Sequence, residues 1–273
     1  MKLSVVPARA ALAWVKLGVK TFFRQPLALS GLFFMFLAAM SLAGMVPVIG
    51  MAIALALLPG CSLGLMVASK EASSGKFPMP WVFLSAFRAG RKQLRAMLVL
   101  GLLYAAGFAV VMGVSALFDD GNFAGRYLAG EMPTMEMAQD PATQTAMLAF
   151  LALQIPLSLM FWHAPALVYW HQVEPAKSVF FSLIACVRNF WAFALFGVLW
   201  MALLLCAILV VSLVALLSAS PQIAGLVLMP VSMLAAAMFF TSTYFSFRDC
   251  FEAQTPDSPA PQDGSGEQRE LGH

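Results

Sequence analysis

Every Asp, Glu, Lys and Arg of this 273-residue chain lies outside six long apolar stretches, at 27–46, 48–68, 96–118, 146–170, 190–217 and 224–247. At about 1.5 Å of rise per helical residue, each stretch is long enough to cross a hydrocarbon layer roughly 30 Å thick. No water reaches the backbone inside that layer, so each stretch must satisfy its own N–H and C=O groups. A helix does this within one segment, whereas a lone strand cannot. The expected fold is therefore an all-α integral membrane protein with six transmembrane helices. A soluble domain carries about 25% charged residues, whereas this chain carries 11% and is 61% hydrophobic. A soluble globular fold is excluded on that ground.

The stretches pair into hairpins. Pro47 and its neighbours separate the first two, and 218–223 separates the last two. A longer polar loop, 119–145, joins the middle pair. Pro59, Pro156, Pro165 and Pro230 fall inside spans and are expected to kink them. Orientation follows from the bases. Lys2, Arg9, Lys16, Lys20 and Arg24 precede span one, and Lys70, Lys76, Arg88, Arg91, Lys92 and Arg95 separate spans two and three. The loop after span three holds only Arg126 against Asp119, Asp120, Glu131, Glu136 and Asp140. Both termini are thereby expected in the cytoplasm. No short apolar segment with a small-residue cleavage site precedes Leu27, so no cleavable signal peptide is expected. Cys61, Cys186 and Cys250 fall on or near the reducing side, and no disulfide is expected. Residues 1–252 read as a single transmembrane domain. The polar, acidic stretch 253–273 cannot bury enough apolar surface to order itself and reads as a disordered tail.

The segments leading into spans one, three and five share a pattern. On a projection of about 100° per residue, Arg9, Lys16, Lys20 and Arg24 fall within about 80° of one another, with Trp14, Leu17, Val19 and Phe22 on the other faces. Arg88, Arg91, Lys92 and Arg95 cluster beside Phe83, Phe87 and Leu94, and Lys177 shares a face with Arg188 near Phe180 and Ile184. The three segments can be set in register: Trp14, Trp81 and Ser178; Gly18, Ser85 and Ser182; Arg24, Arg91 and Arg188; then Gln25, Lys92 and Asn189. The expectation is a threefold repeat of an interfacial amphipathic helix plus a transmembrane hairpin. Arg24, Arg91, Lys92 and Arg188 are the candidate headgroup contacts, since a base near an anionic surface contributes roughly 1 kcal/mol. Aromatics of the lead-ins are expected to sink into the interface.

Span two carries Ala52, Ala56, Gly60, Gly64 and Ala68, a ladder of small residues at every fourth position. Such a face lets helix backbones approach closely and is the candidate helix-packing face. A similar ladder on span three runs Gly101, Ala105, Ala109 and Gly113. No catalytic constellation is present: there is no nucleophile elbow, HExxH, phosphate loop or paired intramembrane carboxylate. The sequence calls for no catalytic residue, cofactor or metal. His163, next to Pro165, is the one ionisable candidate within the spans. It reads as a proton or metal site, with His171 as its candidate partner, or as a histidine bonded to backbone that Pro165 frees; the eight intervening steps place the two histidines about 12 Å apart along a helix, too far to share one metal unaided. Gln154 and the run Thr241, Ser242, Thr243 and Tyr244 are expected to hydrogen-bond between helices.

Residues 24–28 (RQPLA), 164–168 (APALV) and 181–189 (FSLIACVRN) resemble a group of proteobacterial inner-membrane proteins with no assigned activity. The likeness covers nearly the whole chain apart from the acidic loop and the tail. It implies an all-helical protein of the bacterial inner membrane. The repeated lead-in ending in a base and an amide is distantly similar to membrane domains that accompany glycerophosphodiester phosphodiesterases. No such catalytic domain is present in these residues, so that activity does not carry over.

The function expected from these features is that of a non-catalytic membrane protein that organises lipid or a membrane partner complex. The alternative is a transporter or permeability pathway for a small or lipid-like molecule. The implied partners are a bilayer with anionic headgroups and a membrane protein or a second copy of the chain. Nucleic acid is not among them.

Overall fold

The computed structural model describes residues 3–46, 49–88, 90–131, 134, 139–218 and 221–251. The expected tail at 253–273 and part of each short hairpin, at 47–48 and 219–220, lie outside them. The described helices are α1 (Ala10–Arg24), α2 (Pro26–Gly44), α3 (Gly50–Ser73), α4 (Ser85–Arg88), α5 (Arg91–Ala116), α6 (Asn122–Ala129), α7 (Pro141–Trp162), α8 (Ala164–His171), α9 (Pro175–Arg188), α10 (Phe190–Leu217) and α11 (Pro221–Phe251). A 3-10 turn, Pro80–Leu84, runs into α4. Six of these stretches are long and apolar enough to span a membrane: α2, α3, α5, α7 continued by α8, α10, and Gly225–Phe251 within α11.

The spans do not stop where the charge-free runs stop. Helix α3 continues past Lys70 and Glu71 to Ser73, and α5 begins at Arg91, directly after Gly90 at φ +107°. Helix ends are set by backbone breaks and caps, while the apolar run marks only the part that lipid can cover. Large apolar side chains crowd the outside, among them Leu102, Val110, Leu151, Ile155, Leu209 and Leu213. In water such a surface would drive association, whereas in lipid it is solvated.

Helix α3 is the central span, packed by α2, α5 and α11. Its close partner is α5, where an added Cβ on Gly101 would collide with the backbone carbonyl of Ala56. The aromatic cluster on the outer flank joins α5, α6 and α7 through Phe108, Phe123, Tyr127 and Phe150.

The loop 119–145 holds more than a polar connection. Asp119 accepts hydrogen bonds from the backbone N–H groups of Gly121 (3.2 Å) and Phe123 (2.7 Å). That caps α6, whose far end is closed by Gly130 at φ +75°. The buried Phe123 and Ala124 then seat α6 against α5 and α7.

Asp140 caps α7 in the same way, accepting from the Thr143 N–H (2.9 Å) and hydroxyl (2.8 Å), with Pro141 at the first helical position. These bonds favour the ionised carboxylate and hold its pKa below the ordinary value. A depressed folded-state pKa adds stability above the unfolded value, and that stability is lost as pH falls through the folded value. The expected outcome is that Asp140→Asn, which can still cap, flattens the acid limb of a thermal-melt pH profile below about pH 4, near the free carboxyl value. Asp140→Ala is expected to lower the melting temperature at neutral pH as well. An acid limb identical to wild type in Asp140→Asn would show that the cap charge does not matter.

The lead-ins pack onto the bundle rather than standing free of it. Helix α1 packs on α11 and α10, and Trp14 and Phe22 are buried inside the protein rather than in lipid. Gly18 makes this possible, since its backbone rests against Ser242. The 3-10 turn packs on α3, where Phe83 fills the space left by Gly64. Helix α9 packs on α7, where Ser182 meets Leu159. Each lead-in is thus wedged against the second span of a hairpin.

The wedges are not equivalent in form. Helices α1 and α9 are continuous and break at an amide, Gln25 (φ −143°) and Asn189 (φ −107°). The second is a 3-10 turn followed by a single helical turn, and it breaks at Gly90, before Arg91. Trp81, aligned with the fully buried Trp14, is exposed. The expected register therefore holds between the first and third segments only in part, and the second departs from it because its glycine moves the break two positions earlier.

Candidate functional site

The bases and the lead-ins collect at one end of the bundle. Arg24 ends α1 and donates from Nη1 to the Ser73 carbonyl (3.1 Å). Arg91 opens α5, Lys92 follows it, and Arg188 closes α9. All four are exposed. They sit at the ends of three different helices rather than in one pocket. Glu174 forms an ion pair with Lys177 (2.8 Å), and Lys177, followed by Lys92, holds the Glu174 carboxyl below its ordinary pKa. Lys20, Arg88, Arg91, Arg95 and Arg188 have no ion pair among the described residues.

Beneath the bases lies a set of side-chain amides that the sequence did not single out for this role. Gln25, at the root of α2, donates from Nε2 to the Lys76 carbonyl (3.1 Å), just past α3. Gln93, buried near the root of α5, donates to the Val168 carbonyl of α8 (2.8 Å). Asn189, at the root of α10, accepts from the Val6 N–H (2.7 Å) and donates to the Ser4 carbonyl (3.2 Å) and the Cys250 sulfur (3.7 Å). Each amide ties the start of a hairpin to the backbone where that hairpin ends, or to the N-terminal segment laid across that end. In the second hairpin the amide is Gln93, one place beyond Lys92, the position expected from the alignment. The offset accompanies the earlier break at Gly90. The Trp14 indole N–H donates to Asp249 (2.9 Å) and the Ser4 N–H to the Cys250 carbonyl (2.9 Å), so the N-terminal segment is sewn to the end of α11.

Within the membrane-spanning part, Pro165 does break the chain, at His163 between α7 and α8. The freed backbone is not taken by the imidazole. Ser182 of α9 inserts its hydroxyl instead, accepting from the His163 N–H (2.9 Å) and donating to the Leu159 carbonyl (2.8 Å). Those are the two groups that an unbroken helix would pair with each other. The His163 ring is fully buried among Phe193, Phe247 and Phe251, and neither ring nitrogen has a hydrogen-bond partner in the structure. His171 contacts the same Phe247 ring. Among the described residues, no three His, Cys, Asp or Glu side chains gather as a metal site.

The small-residue ladder of α3 is divided between neighbours. Ala56 meets Gly101 of α5, Gly64 meets Phe83, Gly60 and Ala68 are buried, and Ala52 is exposed. On α5, Gly101 meets the Ala56 carbonyl and Gly107, outside the ladder, meets the Leu157 side chain, while Gly113 faces open space. Thr241, Ser242 and Thr243 bond to carbonyls of their own helix, at Ala237, Phe239 and Phe240, rather than across helices. Trp162 donates an interhelical bond to Ser246 in that region (3.2 Å).

A relative spans this whole arrangement. The chain is 38% identical over 263 residues to a probable inner membrane protein of Burkholderia thailandensis, covering 95% of this chain and 97% of the relative. This chain belongs to that inner-membrane family. The membership accords with the six apolar helices and with the lipid-compatible outer surface. No family model matches the chain, and no solved structure matches it. The family relation places the protein in the inner membrane as a multi-pass protein.

Proposed function

We propose that this family member is a non-catalytic module of the inner membrane that gathers anionic phospholipid around its cytoplasmic end and so organises lipid or a lipid-dependent partner complex. The carrying observation is the exposed set Lys20, Arg88 and Arg188, on lead-ins packed against the bundle, with Arg91 and Arg95 on the first turns of α5, none of them ion-paired among the described residues. A base on a rigid mount loses little freedom when a phosphate arrives, and each contributes roughly 1 kcal/mol at an anionic surface. The basic end faces the cytoplasm by the excess of Lys and Arg in its loops, which puts both termini there. Headgroup contacts are Arg24, Arg91, Lys92 and Arg188 together with their unpaired neighbours. A partner membrane protein or a second copy would dock on the lipid-facing helices, through the same lipid shell.

The test uses the full chain in nanodiscs of mixed phosphatidylglycerol and phosphatidylcholine, with co-purifying lipid counted by native mass spectrometry. Wild type is expected to retain phosphatidylglycerol preferentially. A variant with Lys20, Arg91, Arg95 and Arg188 all changed to Gln is expected to lose that preference at least about tenfold, given four contributions of roughly 1 kcal/mol each. Equal retention by the two proteins would overturn the reading.

A second reading, a pathway for a small or lipid-like molecule, has one observation in its favour, a partly polar cavity between α3, α5, α7 and α11.

A further inference from the structure

The cavity has a volume of about 140 Å³ and lies among Leu58, Met66, Phe161, Phe239 and Phe240, which make most of its wall. Trp162, whose N–H is spent on Ser246, and four hydroxyl-bearing residues, Ser62, Tyr104, Ser158 and Thr243, complete the lining. None of the lining residues is ionisable at neutral pH, so a charged group would enter without a counter-charge, at a high desolvation cost.

The hydroxyls are not interchangeable. Ser62 and Thr243 spend their hydrogens on carbonyls of their own helices, Pro59 (2.9 Å) and Phe240 (2.7 Å), and so offer the cavity only lone pairs. Tyr104 and Ser158 each accept from the Gln154 amide (3.5 Å), which leaves their own hydrogens to donate. The Gln154 carbonyl oxygen behind them is buried with no partner in the structure. The cavity thus presents two donors on the α5 and α7 side and two acceptors on the α3 and α11 side.

Water fits only the polar part of this lining. The four hydroxyls could satisfy one water, but water leaves the Leu, Met and Phe wall without an apolar partner. An ester carbonyl could use only the donors. An alcohol hydroxyl uses both sets, accepting from Tyr104 or Ser158 and donating to Ser62 or Thr243, while its hydrocarbon part meets the Leu, Met and Phe wall. We infer that the cavity seats the free hydroxyl of an uncharged lipid, of the diacylglycerol or long-chain alcohol class, taken from within the bilayer. Tyr104 is the principal donor. The site is distinct from the basic end, and its occupancy does not depend on anionic headgroups.

The experiment uses the full chain in nanodiscs containing a diacylglycerol with a photoactivatable acyl chain, with labelled peptides mapped by mass spectrometry. Labelling is expected on the segments 58–66, 158–162 and 239–243. Unlabelled diacylglycerol should compete it away, while its O-methyl ether should compete about fivefold less well, the loss of one net hydrogen bond. Tyr104→Phe should weaken labelling about as much without changing the melting temperature. If that variant does not fold, Thr243→Val, which keeps the shape, is the substitute. Labelling confined to outward residues such as Leu102 and Leu209, or equal competition by the ether, would overturn the proposal. The Gln variant of the basic end should leave cavity labelling unchanged, so failure here and failure of the headgroup reading are separable.

Discussion

A Gly101→Ala variant is expected to lose about 1–3 kcal/mol of stability, the usual cost of forcing extra volume into a close-packed contact. The reason is specific to one point of the bundle. The added methyl carbon would fall on the Ala56 carbonyl of α3. That obstacle is backbone, so no side chain can rotate out of the way, and α3 and α5 must separate. Because α3 is the central span, the separation propagates to α2 and α11, which pack on it. Thermal or detergent-titrated unfolding of the full chain measures the effect. Gly113→Ala, on the same helix but facing open space, is the control. It is expected to be neutral or slightly stabilising, because alanine favours the helix by about 1 kcal/mol over glycine. Equal melting temperatures for the two variants would show that α3 and α5 do not depend on that contact.

The second large effect is expected at Asn189. Its side chain is nearly fully buried and binds the Val6 N–H and the Ser4 carbonyl at once. An Asn189→Leu variant would strand both groups where water has little access. The expected loss is about 2–4 kcal/mol, less than the roughly 2–6 kcal/mol of two fully buried unsatisfied groups because Ser4 and Val6 are half-buried. It should be accompanied by rapid proteolysis near residues 3–9, because that segment is held down by these bonds and by the Ser4 to Cys250 pairing. Gln25→Leu is expected to cost much less. Gln25 is only half-buried, its bond to Lys76 is exposed, and water can replace the lost partner. A protease pattern unchanged in Asn189→Leu would place the anchor of the N-terminal segment elsewhere, at Trp14 and Asp249.

Both expectations rest on features that read differently in one dimension. Gly101 belongs to a ladder of small residues whose other members look the same in sequence, yet Gly113 has no neighbour and Gly101 has a carbonyl against it. The pattern names a face but cannot say at which level another helix crosses it. The amide following Arg188 was visible as part of an alignment, whereas its function as a clamp on the N-terminal segment joins residues more than 180 positions apart. In the second hairpin the clamp is Gln93 rather than Lys92, a shift that the sequence alignment did not show. The short helix α6 was legible in principle. Asp119, Gly121 and Gly130 are a cap, a turn and a stop, although the polar composition of the loop hides them.

The cavity residues show the same limit. Gln154 and the 241–244 run were recognisable as polar groups in apolar spans. That Thr243 turns its hydrogen to its own helix and its lone pairs outward, while Tyr104 and Ser158 keep hydrogens to donate, is a matter of rotamers and partners. His163 was recognisable beside Pro165, but the hydroxyl that occupies the broken ladder comes from Ser182 in another helix.

By itself the sequence determined that the chain is helical, that it has six membrane-spanning helices, and which loops carry the bases. Those properties follow from solvent alone: a long uncharged run can satisfy its backbone in lipid only as a helix, and charge cannot stay inside. Tertiary structure decided how the lead-ins are used, which glycine is a contact, which amide is a clamp, and that four hydroxyls share a cavity with separated donors and acceptors. These depend on which helix lies against which and at what height. Lipid is as apolar as the helices, so burial of hydrophobic side chains sets no preference among the packings, and small residues and buried hydrogen bonds make the choice.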